Sequence, residues 1–542
     1  MSMSKNIARL AVTAGLTAAL SFGGVMAPVT MAFAKGGSTT PTNSIIINKN
    51  TDNGNVKYKA YQIFKADVID GENGKVVSNI EWASDKAQKA VLGYLATVSG
   101  SGITTSSSAQ QAAKYLTDHS EGTGKTTPIE NSNLFNGLAK AVEKSVDQTD
   151  SSFAAGDVFK PVDGNSNALQ GYYLFVTDES TLSTDQKAEK NTGTSPVFAV
   201  VGDTLVTVNE KTSIPTVEKK VKNDGGSEWA DKADSQMGQK VEYKLTGSVA
   251  SNIATFDTYY YEFHDELSTG LTADASTVVV KIGDKALALN TTDGDKTGYD
   301  VSIDDNNTLT VKFTDLKAAA AHAGATLNGT SNVVVTYTAM LDPGKVANVT
   351  VGNTGNDNTV KLIYSNNPMS DGKGESAPDT VRDYTYALEL IKQDADSDAT
   401  KIDGVEFTIQ ATDPDDAGSK GKYVGSDGSL VDTAYKFKTA NGGKINVKGL
   451  DAGTYTVHEV EGSNPGYNTL DDFTFTITAE GLDELEGATL AGNADANTLK
   501  VTARQDGSTL VTPSVNGGTV TLVVKNKKGS GLPLTGLNGV TF

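Results

Sequence analysis

Two lysines of this 542-residue chain lie in strand-like segments whose alternation would turn them toward a core. Lys392 follows Leu388 and Leu390 at a spacing of two, and side chains two residues apart share one face of a strand. Lys219 precedes Val221 at the same spacing. Apolar surroundings lower the pKa of a lysine, and its free amine is then a nucleophile. For Lys392 the alternative is a lysine at a strand end whose ammonium group reaches solvent.

The segments that would position these lysines are typical of short strands. Alternating apolar and polar residues over 204–208, 333–337, 473–477 and 520–524 lie between turns rich in Gly, Asn and Asp. Between residues 83 and 146, apolar residues recur instead at intervals of three and four, which predicts amphipathic helices. We therefore predict an all-β chain of tandem sandwich domains, with a helical insertion in the first.

The composition limits the classes of function. About 500 residues beyond an N-terminal targeting segment are too many for one core and predict roughly three or four domains. The 66 acidic and 46 basic residues give a net charge of -20, which argues against a nucleic-acid partner. The chain has no cysteine, so core packing or another covalent crosslink must replace the disulfides on which secreted proteins often depend.

Residues 1–34 have the order of a secretory signal peptide. Lys5 and Arg9 precede a run of small and apolar residues over 10–29, and an A-x-A sequence follows at 32–34. Elsewhere no stretch approaches the roughly 18 apolar residues that span a bilayer. We expect the protein to be exported, with the mature chain beginning directly after this segment.

Near the other end of the chain a pentapeptide resembles the LPxTG signal of sortase transpeptidases. These enzymes cut between Thr and Gly and pass the threonyl group to an amine. The matching residues are Leu532, Pro533, Leu534, Thr535 and Gly536. Such a signal is normally followed by an apolar stretch and a basic tail, so we expect the natural chain to continue past Phe542.

The composition and residue patterns of the sequence divide it into three modules between the signal peptide and the sorting motif. A Pro-containing joint follows residue 211, and the Ser-, Gly-, Asp- and Pro-rich residues 370–379 indicate a linker. The expected segments are a signal peptide at 1–34, an N-terminal module with the helical insertion at 35–211, a middle module at 212–383, a third module at 384–528 and a sorting tail at 529–542.

The junction of the first two modules resembles the pilin-motif region of major shaft pilins from sortase-assembled Gram-positive pili. V-T-V-N-E-K-T over 206–212 and P-T-V-E-K-K-V over 215–221 are similar to the VxVYPKN and PTxxKxV segments of that family. Position for position, Lys211 matches the lysine that attacks the sortase acyl-enzyme. Asn209 and Glu210 depart from the pattern, since they replace its Tyr-Pro.

The resemblance implies a fibre. A sortase would join Thr535 of one subunit to a solvent-facing Lys211 of the next, and because these two patches differ the product is an open, head-to-tail polymer at the cell surface. The implied partners are other copies of the chain, a pilus-specific sortase, minor or tip pilins, and a host matrix protein or glycan as a further candidate. No cofactor or metal is implied.

The same resemblance implies amide bonds that form inside the domains without an enzyme. In the family, a lysine in the first strand lies beside an asparagine in the last, and an acid near both polarises the carboxamide so that ammonia leaves. The third module resembles a collagen-adhesin B-type domain over residues 455–467, where Glu459 is the acid. The implied set there is Lys392, Glu459 and Asn526. If such a bond acts like a disulfide that closes a long loop, the chain-entropy estimate is that it stabilises a domain by ~4 kcal/mol.

The middle module is expected to be an Ig-like sandwich of the collagen-adhesin A type. Lys219 and the promoting acid Asp265 are implied there by their positions. The asparagine is Asn358, with Asn366 or Asn367 as the alternative.

A crosslink in the first module is not expected. Lys49 lies where one could begin, but some relatives use the asparagine after the pilin lysine as its partner. Thr212 occupies that position here, and a hydroxyl group supplies no carbonyl carbon.

Two other classes of protein compete with a shaft pilin. An adhesin displayed singly or at a pilus tip would share the export signal, the sorting motif and the crosslinks, but it would not need an acceptor such as Lys211. A secreted hydrolase is disfavoured because the four histidines show no metal-binding spacing and the chain has no G-x-S-x-G motif. We therefore expect no enzymatic activity beyond self-crosslinking.

Overall fold

The computed structural model describes residues 41–49, 56–71, 74–120, 133–182, 192–210, 212–223, 226–482 and 499–530. Strands dominate this part of the chain and form six sheets, two in each of three successive segments. The predicted all-β class with tandem sandwiches is confirmed.

The first segment combines a larger sheet, a smaller sheet and three helices. Its elements are β1 (Ile45–Asn48), β2 (Lys57–Gly71), β3 (Gly74–Trp82), α1 (Asp85–Leu95), α2 (Ala109–Asp118), α3 (Leu134–Ser145), β4 (Phe153–Ala154), β5 (Val158–Phe159), β6 (Gly171–Thr177), β7 (Val197–Val201) and β8 (Val206–Asn209). The helices share a core with one face of the larger sheet, while a second core lies between that sheet and β5-β1-β8. The predicted helical insertion is confirmed.

The helices begin where the sequence provides caps. The Ser84 hydroxyl accepts a hydrogen bond from the first turn of α1, and Ser108 forms a capping box with Gln111 at the start of α2. Alanine and leucine residues at three- and four-residue spacing then form the buried face of each helix.

The middle segment is a sandwich of two sheets around one large core. Its elements are β9 (Val217–Lys222), β10 (Trp229–Ala230), β11 (Lys232–Asp234), β12 (Val241–Ser248), β13 (Tyr261–Leu267), β14 (Leu271–Ile282), β15 (Lys285–Ala286), β16 (Asp300–Ile303), β17 (Thr308–Phe313), α4 (Leu316–His322), β18 (Asn332–Leu341), β19 (Asn356–Ser365), β20 (Lys373–Glu375) and β21 (Asp379–Tyr384). One sheet has the order β10-β9-β12-β18-β14-β15; the other has β11-β21-β19-β13-β17-β16, with β20 beside β19. β9 therefore faces β13 and β19 across the core.

The third segment is also a two-sheet sandwich. Its elements are β22 (Tyr386–Asp394), β23 (Glu406–Pro414), β24 (Tyr423–Val424), β25 (Leu430–Val431), β26 (Phe437–Lys438), β27 (Lys444–Leu450), β28 (Gly453–Glu459), β29 (Phe473–Glu480), β30 (Lys500–Asp506), β31 (Val511–Asn516) and β32 (Thr519–Asn526). The order β27-β22-β32-β31 makes the first and last strands direct neighbours, and they run parallel.

The linker predicted from composition at 370–379 is wrong. These residues contain β20 and the start of β21, both of which pair with β19 in the middle sheet. Only Thr385 separates β21 from β22. Gln236 strengthens this junction, since its side-chain oxygen accepts from the Asp451 amide at 3.1 Å and from the Tyr455 hydroxyl at 3.0 Å. The polar composition reflects a sheet edge rather than a free connection.

Candidate crosslinking sites

Lys392 and Asn526 lie on neighbouring parallel strands, β22 and β32. The register places Lys392 opposite Val524, so Asn526 projects from the same face two residues farther along. Glu459 ends β28 in the facing sheet. All three side chains are buried. The inward orientation predicted for Lys392 is confirmed, and the alternative of a solvent-reaching lysine is wrong.

The Asn526 carboxamide lies between the amine and the acid. The Lys392 Nζ donates to Asn526 Oδ1. Asn526 Nδ2 donates to Glu459 Oε1 at 2.7 Å and Oε2 at 2.9 Å, and to the Asn468 carbonyl at 2.8 Å. The nucleophile and the proton-transfer group are therefore on the carbonyl and nitrogen sides of one carboxamide, within the reach that acid–base chemistry requires.

The environment of Lys392 makes its amine more reactive. Burial lowers the pKa of Lys392 to about 8, although the nearby Glu459 and Asp394 favour the charged form and oppose the shift. Near neutral pH a larger share of this lysine is therefore free amine than for an exposed lysine, which suits a nucleophile.

The middle segment contains a second buried set, arranged across the sandwich. Lys219 on β9 faces Asp265 on β13, and its Nζ lies 2.5 Å from Asp265 Oδ1. Asn358 is on β19, next to β13, opposite Leu267 in the register. Burial lowers the pKa of Lys219 to about 8 against the opposing charge of Asp265. The structure thus brings the predicted lysine and acid into direct contact.

Sequence reasoning missed Tyr337, which connects this second set. Its hydroxyl accepts from Lys219 Nζ at 3.1 Å and from Asn358 Nδ2 at 2.8 Å, and it donates to Asp265 Oδ2 at 2.5 Å. The signal was present, because Tyr337 continues the inward face of Val333 and Val335 on β18. The alternation over 333–337 predicts a strand but does not identify the side chains that the Tyr337 hydroxyl contacts.

The geometry favours Asn358 over the two alternative asparagines. Asn366 and Asn367 are also buried, but they follow the end of β19. Asn367 Oδ1 accepts from the Met369 amide at 3.1 Å, as a residue that shapes a turn would. Within the described part of the chain, no hydrogen bond joins Asn366 or Asn367 to the lysine or the acid of this set.

The acceptor Lys211 and the sorting residues Leu532, Pro533, Leu534, Thr535 and Gly536 lie outside the described residues, as does the signal peptide. Both neighbours of position 211 are buried. Glu210 donates its amide to the Asn48 carbonyl at 3.1 Å and accepts from the Tyr58 hydroxyl, while the Thr212 hydroxyl lies 3.5 Å from Asn252 Oδ1. Both flanks of position 211 are therefore anchored.

Lys49 has none of the surroundings of Lys219 and Lys392. It directly follows β1 and is exposed. It therefore lacks the burial that activates the amines of Lys219 and Lys392. The absence of a crosslink in the first segment stays a prediction.

In the part of the chain that the structure describes, no group of three or more His, Cys, Asp or Glu side chains could hold a metal ion. No helix among these residues is long and apolar enough to cross a membrane.

Comparison with known proteins supports the interpretation of the fold. Residues 387–491 match the model of the SpaA family, described as a prealbumin-like fold domain. Among solved structures, the T6 backbone pilin of serotype M6 Streptococcus pyogenes is 14% identical with a TM-score of 0.52, and the match covers 91% of this chain and 100% of that one. T6 is described as a modular three-domain structure decorated with variable loops and extensions. This chain has the fold of a three-domain backbone pilin.

Other neighbours are major pilins as well. The full-length major pilin SpaD from Corynebacterium diphtheriae is 16% identical with a TM-score of 0.44, and the match covers 90% of this chain and 97% of that one. A search of curated proteins found no match. At these identities the likeness concerns the fold, so the roles of individual residues rest on the contacts described above.

Proposed function

We propose that this chain is the shaft subunit of a covalent surface pilus. A sortase would join Thr535 of one subunit to Lys211 of the next, and Lys219–Asn358 and Lys392–Asn526 amide bonds would form inside the subunit. The observation that carries the proposal is the buried set of Lys392, Glu459 and Asn526. A buried lysine is costly for an ordinary domain, and among the described residues Lys219 and Lys392 are buried lysines that each have a carboxyl group and an asparagine close by.

The chemistry in the third module needs only these side chains. The free amine of Lys392 attacks Asn526 Cγ, and Glu459 takes a proton from the attacking nitrogen. Glu459 then returns the proton to Nδ2, which leaves as ammonia while the new C–N bond remains. The proton count balances, because the amine loses the hydrogen that the leaving group gains. No cofactor takes part.

The link between subunits uses an external enzyme. The sortase cuts between Thr535 and Gly536, holds the threonyl group as an acyl-enzyme and transfers it to Lys211 Nζ. Repetition produces a polymer on the cell surface, with the sortase and minor pilins as further partners. The chain is in this scheme a substrate and a structural element rather than an enzyme.

The internal bonds predict a specific mass. The purified mature protein should be lighter than its sequence by two ammonia molecules, one for each bond. Intact-mass spectrometry measures this deficit, and digestion should yield one branched peptide containing Lys219 and Asn358 and another containing Lys392 and Asn526. A full sequence mass would contradict the proposal.

Immunolabelling separates a shaft subunit from an adhesin at a tip. Antibodies against this chain should decorate fibres along their whole length in electron micrographs of intact cells, because each repeat unit is a copy of it. Labelling confined to fibre ends, or to the wall without fibres, would instead support the adhesin. Cells that lack the gene provide the control for antibody specificity.

A further inference from the structure

The two candidate sites place their acids differently. In the third module Glu459 contacts the Asn526 nitrogen directly through both oxygens. In the middle module no hydrogen bond joins Asp265 to Asn358 within the described residues. The Tyr337 hydroxyl lies between them, 2.5 Å from Asp265 Oδ2 and 2.8 Å from Asn358 Nδ2. Aspartate is one methylene shorter than glutamate, and the hydroxyl fills the resulting gap.

Tyr337 also holds the asparagine that would react. The Asn358 side chain donates a hydrogen bond from Nδ2 to this hydroxyl. Its other polar atom, Oδ1, is buried with no hydrogen-bond partner among the described residues. Lys219 Nζ donates to the same hydroxyl at 3.1 Å. One oxygen therefore touches the nucleophile, the acid and the leaving group.

We propose that Tyr337 is a catalytic residue of the middle-domain crosslinking reaction and passes a proton from Asp265 to the departing nitrogen of Asn358. This inference rests on the proposed Lys219–Asn358 bond. The free amine of Lys219 attacks Asn358 Cγ, and Asp265 takes a proton from the attacking nitrogen. Tyr337 gives its hydroxyl proton to Nδ2 and regains one from Asp265 as ammonia leaves. The amine loses one hydrogen and ammonia gains it, so Asp265 and Tyr337 end as they began.

The surroundings of Tyr337 suit a relay. Its ring stacks on Tyr243 at a centroid distance of 5.3 Å, and Lys219 Nζ lies 5.5 Å from the Tyr337 ring centroid and 5.4 Å from that of Tyr243. The rings fix the hydroxyl in place. Burial, reinforced by the charge of Asp265, holds the pKa of Tyr337 well above its usual value, so the hydroxyl keeps its proton between transfers.

Tyr243 provides a matched control for the test. It stacks on Tyr337 in the same core, but its buried hydroxyl has no hydrogen-bond partner among the described residues. Tyr337→Phe and Tyr243→Phe therefore remove the same atom from neighbouring rings, and only the first removes the proposed relay.

The experiment follows crosslinking in the full mature chain after timed cell-free synthesis. Samples are quenched in acid and digested, and the Lys219–Asn358 branched peptide is counted by mass spectrometry against the Lys392–Asn526 peptide of the same molecules. Tyr337→Phe should slow the middle bond at least ~100-fold, as loss of a proton-transfer group does, and leave the third-domain bond unchanged. Tyr243→Phe should form both bonds at the wild-type rate.

The outcomes distinguish this inference from the proposal on which it rests. A wild-type chain without the Lys219–Asn358 peptide would contradict the proposed crosslink itself. A crosslinked wild type together with a wild-type rate in Tyr337→Phe would overturn the role of Tyr337 alone. Equal slowing in both Tyr→Phe variants would also overturn it, since the effect would then come from ring packing.

Discussion

The Glu459→Gln variant is expected to fold but to leave Lys392 and Asn526 unjoined. A glutamine side chain has nearly the same shape and can still accept from Asn526 Nδ2, but it cannot take a proton from the amine and return it to the leaving group. Intact-mass spectrometry should show that one of the two ammonia deficits is lost. Digestion should release the Lys392 and Asn526 peptides separately.

The stability effect of this change should be large. The joined residues are 134 positions apart, and the chain-entropy account assigns a closed loop of that length ~5 kcal/mol. Denaturant unfolding of the third module should therefore shift to much lower concentrations. Glu461→Gln is the matched control, because this exposed residue lies two positions farther along and takes part in no crosslink. If Glu459→Gln kept both the mass and the unfolding midpoint of the wild type, Glu459 would not promote a bond.

The positions of the proposed bonds explain how such a subunit would carry tension. In the proposed fibre a pulling force would enter at Lys211 and leave at Thr535. In the middle module the proposed Lys219–Asn358 bond would allow this force to bypass residues 220–357. In the third module the proposed Lys392–Asn526 bond would allow it to bypass residues 393–525. Most strands of both sandwiches would therefore carry no load through their hydrogen bonds.

The first module would lie beside this path. In the proposed fibre the previous subunit would be attached at Lys211, after β8, so the force would not cross residues 35–210. A crosslink there would add little to the strength of the fibre. The exposed Lys49 and the hydroxyl of Thr212 agree with this, since neither residue offers the burial or the carboxamide that the reaction needs.

Much of this architecture was predictable from local patterns. Period-two alternation placed Lys392 in the core, and the change to three- and four-residue spacing located α1, α2 and α3. These patterns predict structure because each shows which face of a strand or helix packs against the core. The burial of apolar side chains decides that face.

What the sequence did not reveal depends on contacts between distant strands. Tyr337 lies on β18 in one sheet, whereas Asp265 and Asn358 lie on β13 and β19 in the other, and only the packing of the two sheets brings its hydroxyl to their side chains. The linker prediction at 370–379 was wrong for a related reason. Polar, Gly- and Pro-containing residues also suit short edge strands, and pairing with β19 decides the outcome there.

The Lys211→Ala variant should abolish the covalent polymer while the monomer remains folded. Alanine has no amine to attack the acyl-enzyme, so subunits would stay single after the sortase has cut them at Thr535. The high-mass ladder on denaturing gels of cell-wall extracts should disappear, and the monomer band should increase. The fold should survive because Glu210 and Thr212 hold the backbone on both sides through their contacts with Tyr58 and Asn252.

Lys49→Ala is the matched control for the acceptor. Lys49 directly follows β1, and β1 pairs in parallel with β8, with Asn48 opposite Asn209, so this substitution removes an exposed lysine close to the end of β8. The high-mass ladder of the Lys49→Ala variant should match that of the wild-type protein. A persistent ladder in Lys211→Ala would place the acceptor elsewhere, and burial excludes Lys219 from that role. The partly exposed Lys220 and Lys222, which pair with Asp231 and Glu242, would then be the nearest remaining amines.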